Sequence, residues 1–405
     1  MAKISSRDIW IILAGYLAAM HVGKLSAVIP ILQQDMGLSF TQAGFSLSLV
    51  QAAGMLFALS IGAFAEKLGL KRCLTFALLI LGFSSIAGLW IENSWSLFIF
   101  RFLEGIGFLT ISICAPAILK GISSPDNLNF KMGLWSSYMG VGVSLAILSI
   151  PQLLQWLNWQ QIWVMLGMLC IFIAGMIHLF LDSADPVRQT ASLPQQYTAS
   201  SFLEIVKITL THPPVICLAL IFACYTSQWI TLTGFLPSLY VQQGMDLQLA
   251  GLLVSLVVLA NLGGTFGAGI LLQRGYQPQQ LLRIGFISMI ICSAIVLTAP
   301  AWLRFELQYL SALLFSLIGG LIPTTVFAIT MKYAPQSNAA AASMGLVLQV
   351  SACGQFLVPP ATAALVTATQ HWPYAVLVTL CLSLIGLCIS YYLFHKAVHL
   401  KKEPI

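Results

Sequence analysis

The sequence predicts an all-α polytopic membrane protein with twelve transmembrane helices, arranged as two pseudo-symmetric six-helix bundles. Of its 405 residues, 59% are hydrophobic and only 7% are charged, whereas a soluble domain carries roughly a quarter charged residues. Apolar segments of about 20 residues, the length that crosses a bilayer as a helix, recur along the chain. The longest polar interval leaves six such segments on either side.

The predicted spans cover residues 9–32, 41–64, 73–91, 96–119, 132–154, 161–181, 214–240, 248–271, 281–300, 307–330, 339–367 and 373–395. The first span is longer and more polar than the apolar stretch of a cleavable signal peptide, so we interpret it as the first helix of the mature protein. The polar interval 182–207 predicts a cytoplasmic linker between an N-terminal bundle, 1–181, and a C-terminal bundle, 208–405.

The basic residues predict the topology. With a cytoplasmic N-terminus, fifteen of the eighteen Lys and Arg residues lie on the cytoplasmic side and only Arg304 lies outside. Cytoplasmic loops of membrane proteins carry such an excess, so both termini are expected in the cytoplasm. The sequence also lacks an N-x-[ST] sequon, which is consistent with a bacterial inner (plasma) membrane. The two remaining bases, Lys24 and Arg101, fall inside spans.

Several classes of protein are disfavoured. The nine cysteines lie in or beside apolar spans without a C-x-x-C pair, so we interpret them as small buried hydrophobic residues. The net charge of +6 is scattered over short loops, which does not indicate nucleic-acid binding. No nucleophile with a base, H-E-x-x-H motif or phosphate-binding glycine loop is present, so we expect neither an enzyme nor a cofactor or metal site. A non-transporting receptor or a membrane enzyme is the alternative class.

A short loop after span 2 combines glycines, one acid and several bases. Its sequence is Gly62-Ala-Phe-Ala-Glu66-Lys67-Leu68-Gly69-Leu70-Lys71-Arg72. This segment resembles the loop signature G-x-x-x-D-[RK]-x-G-x-[RK]-[RK] of the major facilitator superfamily. The glycines suit close helix packing and a turn with positive φ, and the resemblance implies that the acid lies against the positive end of the eleventh helix, near Ser337 and Asn338. We expect a conformational-switch loop made by Gly62, Glu66, Lys67, Gly69, Lys71 and Arg72. The alternative is an ordinary basic cytoplasmic loop.

Further segments resemble the same family. They are Ile29-Pro30-Ile-Leu-Gln-Gln-Asp35-Met-Gly37-Leu-Ser39 with Gln42-Ala-Gly44, the span 4 segment Arg101-Phe-Leu-Glu104-Gly105-Ile-Gly107, and a degraded second-half echo, Gly269-Ile-Leu-Leu-Gln273-Arg274-Gly275. Such echoes are expected after an ancient duplication. Gly319-Gly320-Leu-Ile-Pro323-Thr-Thr-Val-Phe327 is similar to cyanate-transporter-type anion carriers. Span 5 lacks the Gly-Pro step that is common in drug antiporters of the family.

Four ionisable residues lie within the first-half spans. Span 1 runs outward, which places His21 roughly 18 Å and Lys24 roughly 22 Å from its inner end. Span 4 runs inward and places Arg101 in its outer third and Glu104 nearer the middle. These depths pair Lys24 with Arg101 and His21 with Glu104, and each i, i+3 pair shares a helix face. Because spans 1 and 4 line the central cavity in the family, the resemblance implies that all four converge there.

A charge at membrane depth usually has a partner or a function. We expect Lys24 and Arg101 to bind an anionic group, with Arg101 offering bidentate hydrogen bonds, and Glu104 or His21 to carry a coupling proton. The alternative is structural: Glu104 neutralises Arg101 or Lys24 and holds span 1 against span 4, while His21 packs between helices.

The second half offers hydrogen bonds and rings in place of charge. Its candidate substrate-binding residues are Tyr225 and Trp229 in span 7 and Gln349 in span 11, and the alternative is that they only pack. The resemblance implies a secondary active transporter that rocks its halves around a midplane site. We expect a monomer that imports or exports a small organic anion, a metabolite or siderophore-like carboxylate, by proton-coupled symport. The alternative is a proton-driven efflux pump for hydrophobic or cationic drugs, with Glu104 as its essential acid.

Overall fold

The computed structural model describes residues 5–123, 131–132, 134–181, 199–298, 304–335 and 339–400. Within these ranges the regular structure is α-helix with two short 3₁₀ segments, and no strand occurs. An all-helical backbone is what lipid requires, because each helix satisfies its own backbone hydrogen bonds.

The helices that precede the predicted linker are α1 (Ser6–Met36), α2 (Phe40–Leu68), α3 (Leu70–Ile86), α4 (Ser94–Ile122), α5 (Tyr138–Leu153) and α6 (Trp159–Phe180). The later helices are α7 (Ala199–Thr211), α8 (Pro213–Gln242), α9 (Leu247–Gln273), α10 (Pro278–Thr298), α11 (Phe305–Gly319), α12 (Leu321–Thr330), α13 (Ala340–Thr369) and α14 (Ala375–Leu400). They follow the predicted spans in order. Among the described residues, ten helices are long and apolar enough to cross a membrane, and α5 is a shorter apolar helix.

Polar residues at the loop ends begin several helices. Ser5 and Asp8 form a capping box at the start of α1, and Ser39 with Gln42 does the same for α2. Asn158 and Gln161 cap α6. Each box satisfies backbone N–H groups that the first helical turn leaves unpaired, so these helices start where the sequence changes from polar to apolar.

Two features differ from the predicted elements. The second part of the predicted linker forms a helix, α7, which extends to Thr211. The tenth predicted span is broken at Gly320 into α11 and α12. Pro323 explains the break, because its nitrogen has no hydrogen to donate to the carbonyl of Gly319 four residues earlier.

The broken span approaches α9 closely enough to require glycine. A Cβ atom on Gly264 would lie 1.7 Å from the carbonyl oxygen of Leu317, and one on Gly320 would lie 2.4 Å from the carbonyl oxygen of Asn261. The backbones of α9 and α11 are therefore in direct contact, as small residues allow between membrane helices.

The helices group into two compact units by their contacts. Unit 1 comprises Met1–Gln195 with Gly234–Ser255, and unit 2 comprises Gln196–Thr233 with Leu256–Ile405. In unit 1, α1 packs against α4, α5 and α6, and α3 packs against α4 and α6. In unit 2, α10 packs against α11 and α14. The predicted division into bundles at 182–207 stays a prediction.

Candidate functional site

A cluster of charged side chains is buried in unit 1 around Glu104 of α4. Arg101 Nη1 donates to Glu104 Oε2 at 2.5 Å, and the Lys24 ammonium of α1 contacts Glu104 Oε1. His21 Nδ1 lies 3.5 Å from the same Oε1 atom. The three charged side chains and His21 are at most 1% exposed. The cluster therefore holds two cations and one carboxylate away from solvent, and its net charge is positive.

The ammonium of Lys24 is surrounded by four groups. Besides Glu104, it lies 2.8 Å from Ser85 Oγ of α3 and 3.2 Å from His21 Nδ1. It also lies 4.0 Å from the ring centroid of Trp163 on α6. Ser85 Oγ is itself fixed, because it donates to the Trp163 carbonyl at 2.7 Å. An ammonium has three N–H donors, and all three have acceptors here.

The guanidinium of Arg101 is only partly satisfied. Nη1 donates to the His21 carbonyl at 2.8 Å as well as to Glu104, and Nε donates to the Ser46 carbonyl of α2 at 3.2 Å. Nη2 is buried and has no hydrogen-bond partner among the described residues. Buried polar groups are normally hydrogen-bonded, so this nitrogen is a free donor suited to an acceptor from outside the chain.

His21 joins the cluster to α6. Its Nε2 atom lies 3.3 Å from Cys170 Sγ, on the opposite side of the ring from the atom that faces Lys24. Cys170 is fully buried. The sequence interpretation of Cys170 as a small hydrophobic residue therefore missed a polar contact.

The four intramembrane residues singled out in the sequence are brought together, while their roles and a position facing a central cavity stay predictions. The geometry differs in detail from the predicted pairs, because Glu104 contacts both cations and the histidine. This contact pattern also fits the structural alternative, in which Glu104 holds α1 against α4. Sequence reasoning missed Ser85 and Trp163, since a hydroxyl or ring within an apolar span carries no signal of its own.

A second polar network lies in unit 2 and contains no charge. Asn261 Nδ2 of α9 donates to the Tyr225 hydroxyl of α8 and to the Ser316 carbonyl of α11, both at 2.8 Å. Trp229 Nε1 donates to Ser316 Oγ at 3.0 Å. The predicted residues Tyr225 and Trp229 therefore share a network, whereas Gln349 lies half-buried on α13, a helix separate from these three.

The switch loop is described in part. Gly69 adopts φ 94°, the positive value expected for a turn that only glycine enters easily. Lys71 Nζ donates to the carbonyl of His178 at 3.1 Å and contacts that of Leu181, which places a positive charge at the C-terminal end of α6. Gly62 lies within α2. The side chains of Glu66 and Lys67, and the positions Ser337 and Asn338, lie outside the described residues. Arg72 is exposed.

One further buried ion pair was not predicted. Lys131 Nζ lies 2.8 Å from the Asp8 carboxylate at the start of α1, and Asp8 is fully buried. Asp8 does not stand out as a charge within a span, because the first predicted span begins at residue 9. The signal that could have singled it out is its position three residues after Ser5, the spacing of a capping box.

Comparison with known proteins places the chain among membrane transporters. The family model described as Major Facilitator Superfamily matches residues 11–351. An "Uncharacterized transporter" of Buchnera aphidicola subsp. Schizaphis graminum (strain Sg) is 22% identical over 69% of this chain and 66% of its own length. The cyanate transport protein CynX of Escherichia coli (strain K12) is 24% identical over 74% of each chain. The sialic acid transporter NanX of the same organism is 25% identical over 60% of this chain and 58% of its own.

Solved structures agree on the fold. A bacterial homolog to human lysosomal transporter, Spinster, in an inward-facing and occupied conformation, superposes with a TM-score of 0.77, 16% identity and 96% coverage of both chains. A D-xylose-proton symporter superposes with a TM-score of 0.74 and 14% identity, covering 95% of this chain and 96% of its own. These likenesses confirm the predicted all-α fold with twelve transmembrane helices.

Proposed function

The chain belongs to the Major Facilitator Superfamily of membrane transporters, and we propose that it moves a small organic anion across the bacterial inner membrane by proton-coupled symport. The proposed mechanism is alternating access, in a monomer whose two bundles are joined at 182–207 and whose termini are cytoplasmic. Its substrate-binding residues are Lys24, Arg101, Tyr225, Trp229 and Gln349, with Glu104 or His21 as proton carrier.

The observation that carries this proposal is the unpaired Nη2 atom of Arg101 inside a cluster with surplus positive charge. A buried charge is stable only when compensated, and a free guanidinium nitrogen binds carboxylate oxygens well. An anionic substrate would supply both the missing acceptor and the missing negative charge. A cationic drug would supply neither.

The relatives give independent support. The substrates named for CynX and NanX, cyanate and sialic acid, are anions at neutral pH, as is that of the 4-hydroxybenzoate transporter PcaK of Pseudomonas putida, 22% identical over 67% of this chain. A D-xylose transporter of Levilactobacillus brevis, with a neutral substrate, is 24% identical over 37% of this chain. A test of substrate class therefore needs both kinds of solute.

Uptake by proteoliposomes with an inward proton gradient tests the proposal. We expect accumulation of at least one anion from cyanate, sialic acid and 4-hydroxybenzoate, and none of D-xylose. Arg101→Ala is expected to abolish that uptake, whereas Arg304→Ala, which removes an exposed arginine, leaves it unchanged. Uptake that survives Arg101→Ala would contradict the anion site. Proton-driven movement of lipophilic cations alone would favour drug export instead.

A further inference from the structure

We propose that the Lys24–His21 pair holds the coupling proton, and that one proton and one monovalent anion therefore bind the buried cluster together. This inference rests on the proposed function as an anion transporter. It assigns the proton to two basic side chains of α1 and leaves Glu104 as a permanently ionised counter-ion.

With Lys24 as an ammonium, the hydrogen bonds determine where the other protons lie. Ser85 gives its hydroxyl hydrogen to the Trp163 carbonyl, so it must accept from Lys24. Glu104 Oε1 is the second acceptor of the ammonium, and His21 Nδ1, at 3.2 Å, is the third. Because an ammonium cannot accept, Nδ1 carries no proton, and the ring hydrogen lies on Nε2, where it points to Cys170 Sγ.

This arrangement permits a single proton to move within the pair. The Nζ–H bond of Lys24 breaks as an Nδ1–H bond forms on His21, leaving an amine and an imidazolium with the same total charge. The new Nδ1–H faces Glu104 Oε1 at 3.5 Å, and Nε2–H still faces Cys170. Loss of that proton to water leaves both bases neutral.

Glu104 is poorly placed to carry the proton. Each of its oxygens is held by a different cation, Oε1 by Lys24 and Oε2 by Arg101. Protonating it would leave two buried cations with no anion. Removing the charge of one partner in a buried ion pair costs about 3–5 kcal/mol, so this protonation is unfavourable.

Besides Glu104 and Arg101, no charged side chain faces the pair among the described residues. α3 and α6 contribute Ser85, Trp163 and Cys170 to its surroundings, whereas the Ser46 carbonyl of α2 accepts from Arg101. α5 carries no charged residue, and its Tyr138 hydrogen-bonds with Ser112. The Asp8 carboxylate at the start of α1 is paired with Lys131.

Charge balance then couples the two ligands. With the proton bound, Lys24 and Arg101 outweigh Glu104 by one charge, which a monovalent anion on Arg101 Nη2 neutralises. Without the proton the cluster is already neutral, so the same anion would add an uncompensated buried charge. Each ligand therefore raises the affinity for the other.

The test is the pH dependence of anion binding to purified full-length protein, with 4-hydroxybenzoate, cyanate and sialic acid as probes. In the wild type, affinity for a bound probe is expected to fall toward tenfold per pH unit on the alkaline side, as one-for-one linkage requires. Lys24→Arg keeps the charge but cannot release it, so its affinity is expected to stay within about twofold over the same range. Lys131→Arg makes the same replacement in the separate Asp8 pair and should keep the wild-type slope.

Lys24→Met combined with His21→Asn provides a second variant should arginine not fit the buried site. It removes both titrating bases, so affinity is expected to equal the alkaline wild-type value at every pH. A wild-type slope in either folded Lys24 variant would overturn the assignment and return the proton to Glu104. Absence of binding of all three probes to the wild type would instead overturn the proposed anion function, and this inference with it.

Discussion

The buried polar side chains of α1 and α4 include charged ones, whereas those of α8 and α11 are all neutral, among them the Tyr225 phenol, the Trp229 indole and the Ser316 hydroxyl. These helices hold the same places in the two predicted halves, as first and fourth spans of each. The two predicted halves therefore share an order of helices but differ in the chemistry of these spans. The cluster in unit 1 depends on charge compensation, and the network in unit 2 depends on close contact between backbones. The two should respond to different mutations.

Removing the carboxylate from unit 1 should have the largest effect. Glu104→Gln leaves Lys24 and Arg101 buried without a counter-ion, and breaking a buried ion pair this way costs about 3–5 kcal/mol. Thermal unfolding of the purified protein in detergent measures the loss. Glu306→Gln, at an exposed acid in the first turn of α11, is the matched control and should unfold as the wild type does.

A second substitution sharpens this result. Adding Lys24→Met to Glu104→Gln removes one of the two stranded cations and restores the original net charge of the cluster. Part of the lost stability should therefore return, whereas anion transport should not. Equal stability of the single and double variants would mean that packing, and not charge, holds this region together.

The helical frame was predictable because lipid imposes it. Apolar stretches of span length and the distribution of basic residues predicted each span, and α1 and α8 begin and end within a few residues of their predicted bounds. The α7 helix and the break at Gly320 were not predicted. The first lies in a polar interval, and the second depends on a missing hydrogen bond at Pro323, which total hydrophobicity does not record.

The candidate site was predictable only where charge made it conspicuous. His21, Lys24, Arg101 and Glu104 stand out because ionisable residues are rare at membrane depth. Their mutual contacts through one carboxylate depend on side-chain direction, which helical depth alone did not give. Ser85 and Cys170 were missed because serine and cysteine are ordinary in membrane helices.

The stability of unit 2 should be sensitive to substitution of a glycine that contacts a neighbouring helix. Gly264→Ala places a methyl group 1.7 Å from the Leu317 carbonyl oxygen, so α9 and α11 must separate. This separation would stretch the Asn261 bond to Ser316, and overpacking of this kind costs about 1–3 kcal/mol. Gly267→Ala on the same helix meets no atom within 4 Å and should unfold at the wild-type temperature. Equal losses in both variants would indicate a general intolerance of α9.

The smallest effect is expected from Tyr225→Phe, which removes the hydroxyl that Asn261 holds at 2.8 Å. Hydrogen bonds between membrane helices contribute about 0.6 kcal/mol on average, so the unfolding temperature should barely change. Tyr276→Phe, at an exposed tyrosine of the same unit, controls for the substitution. If Tyr225 binds substrate as proposed, anion affinity should fall severalfold while stability is nearly constant. A stability loss as large as that of Glu104→Gln would contradict the expected difference between the two units. The neutral network of unit 2 would then be as critical to the fold as the buried ion cluster of unit 1.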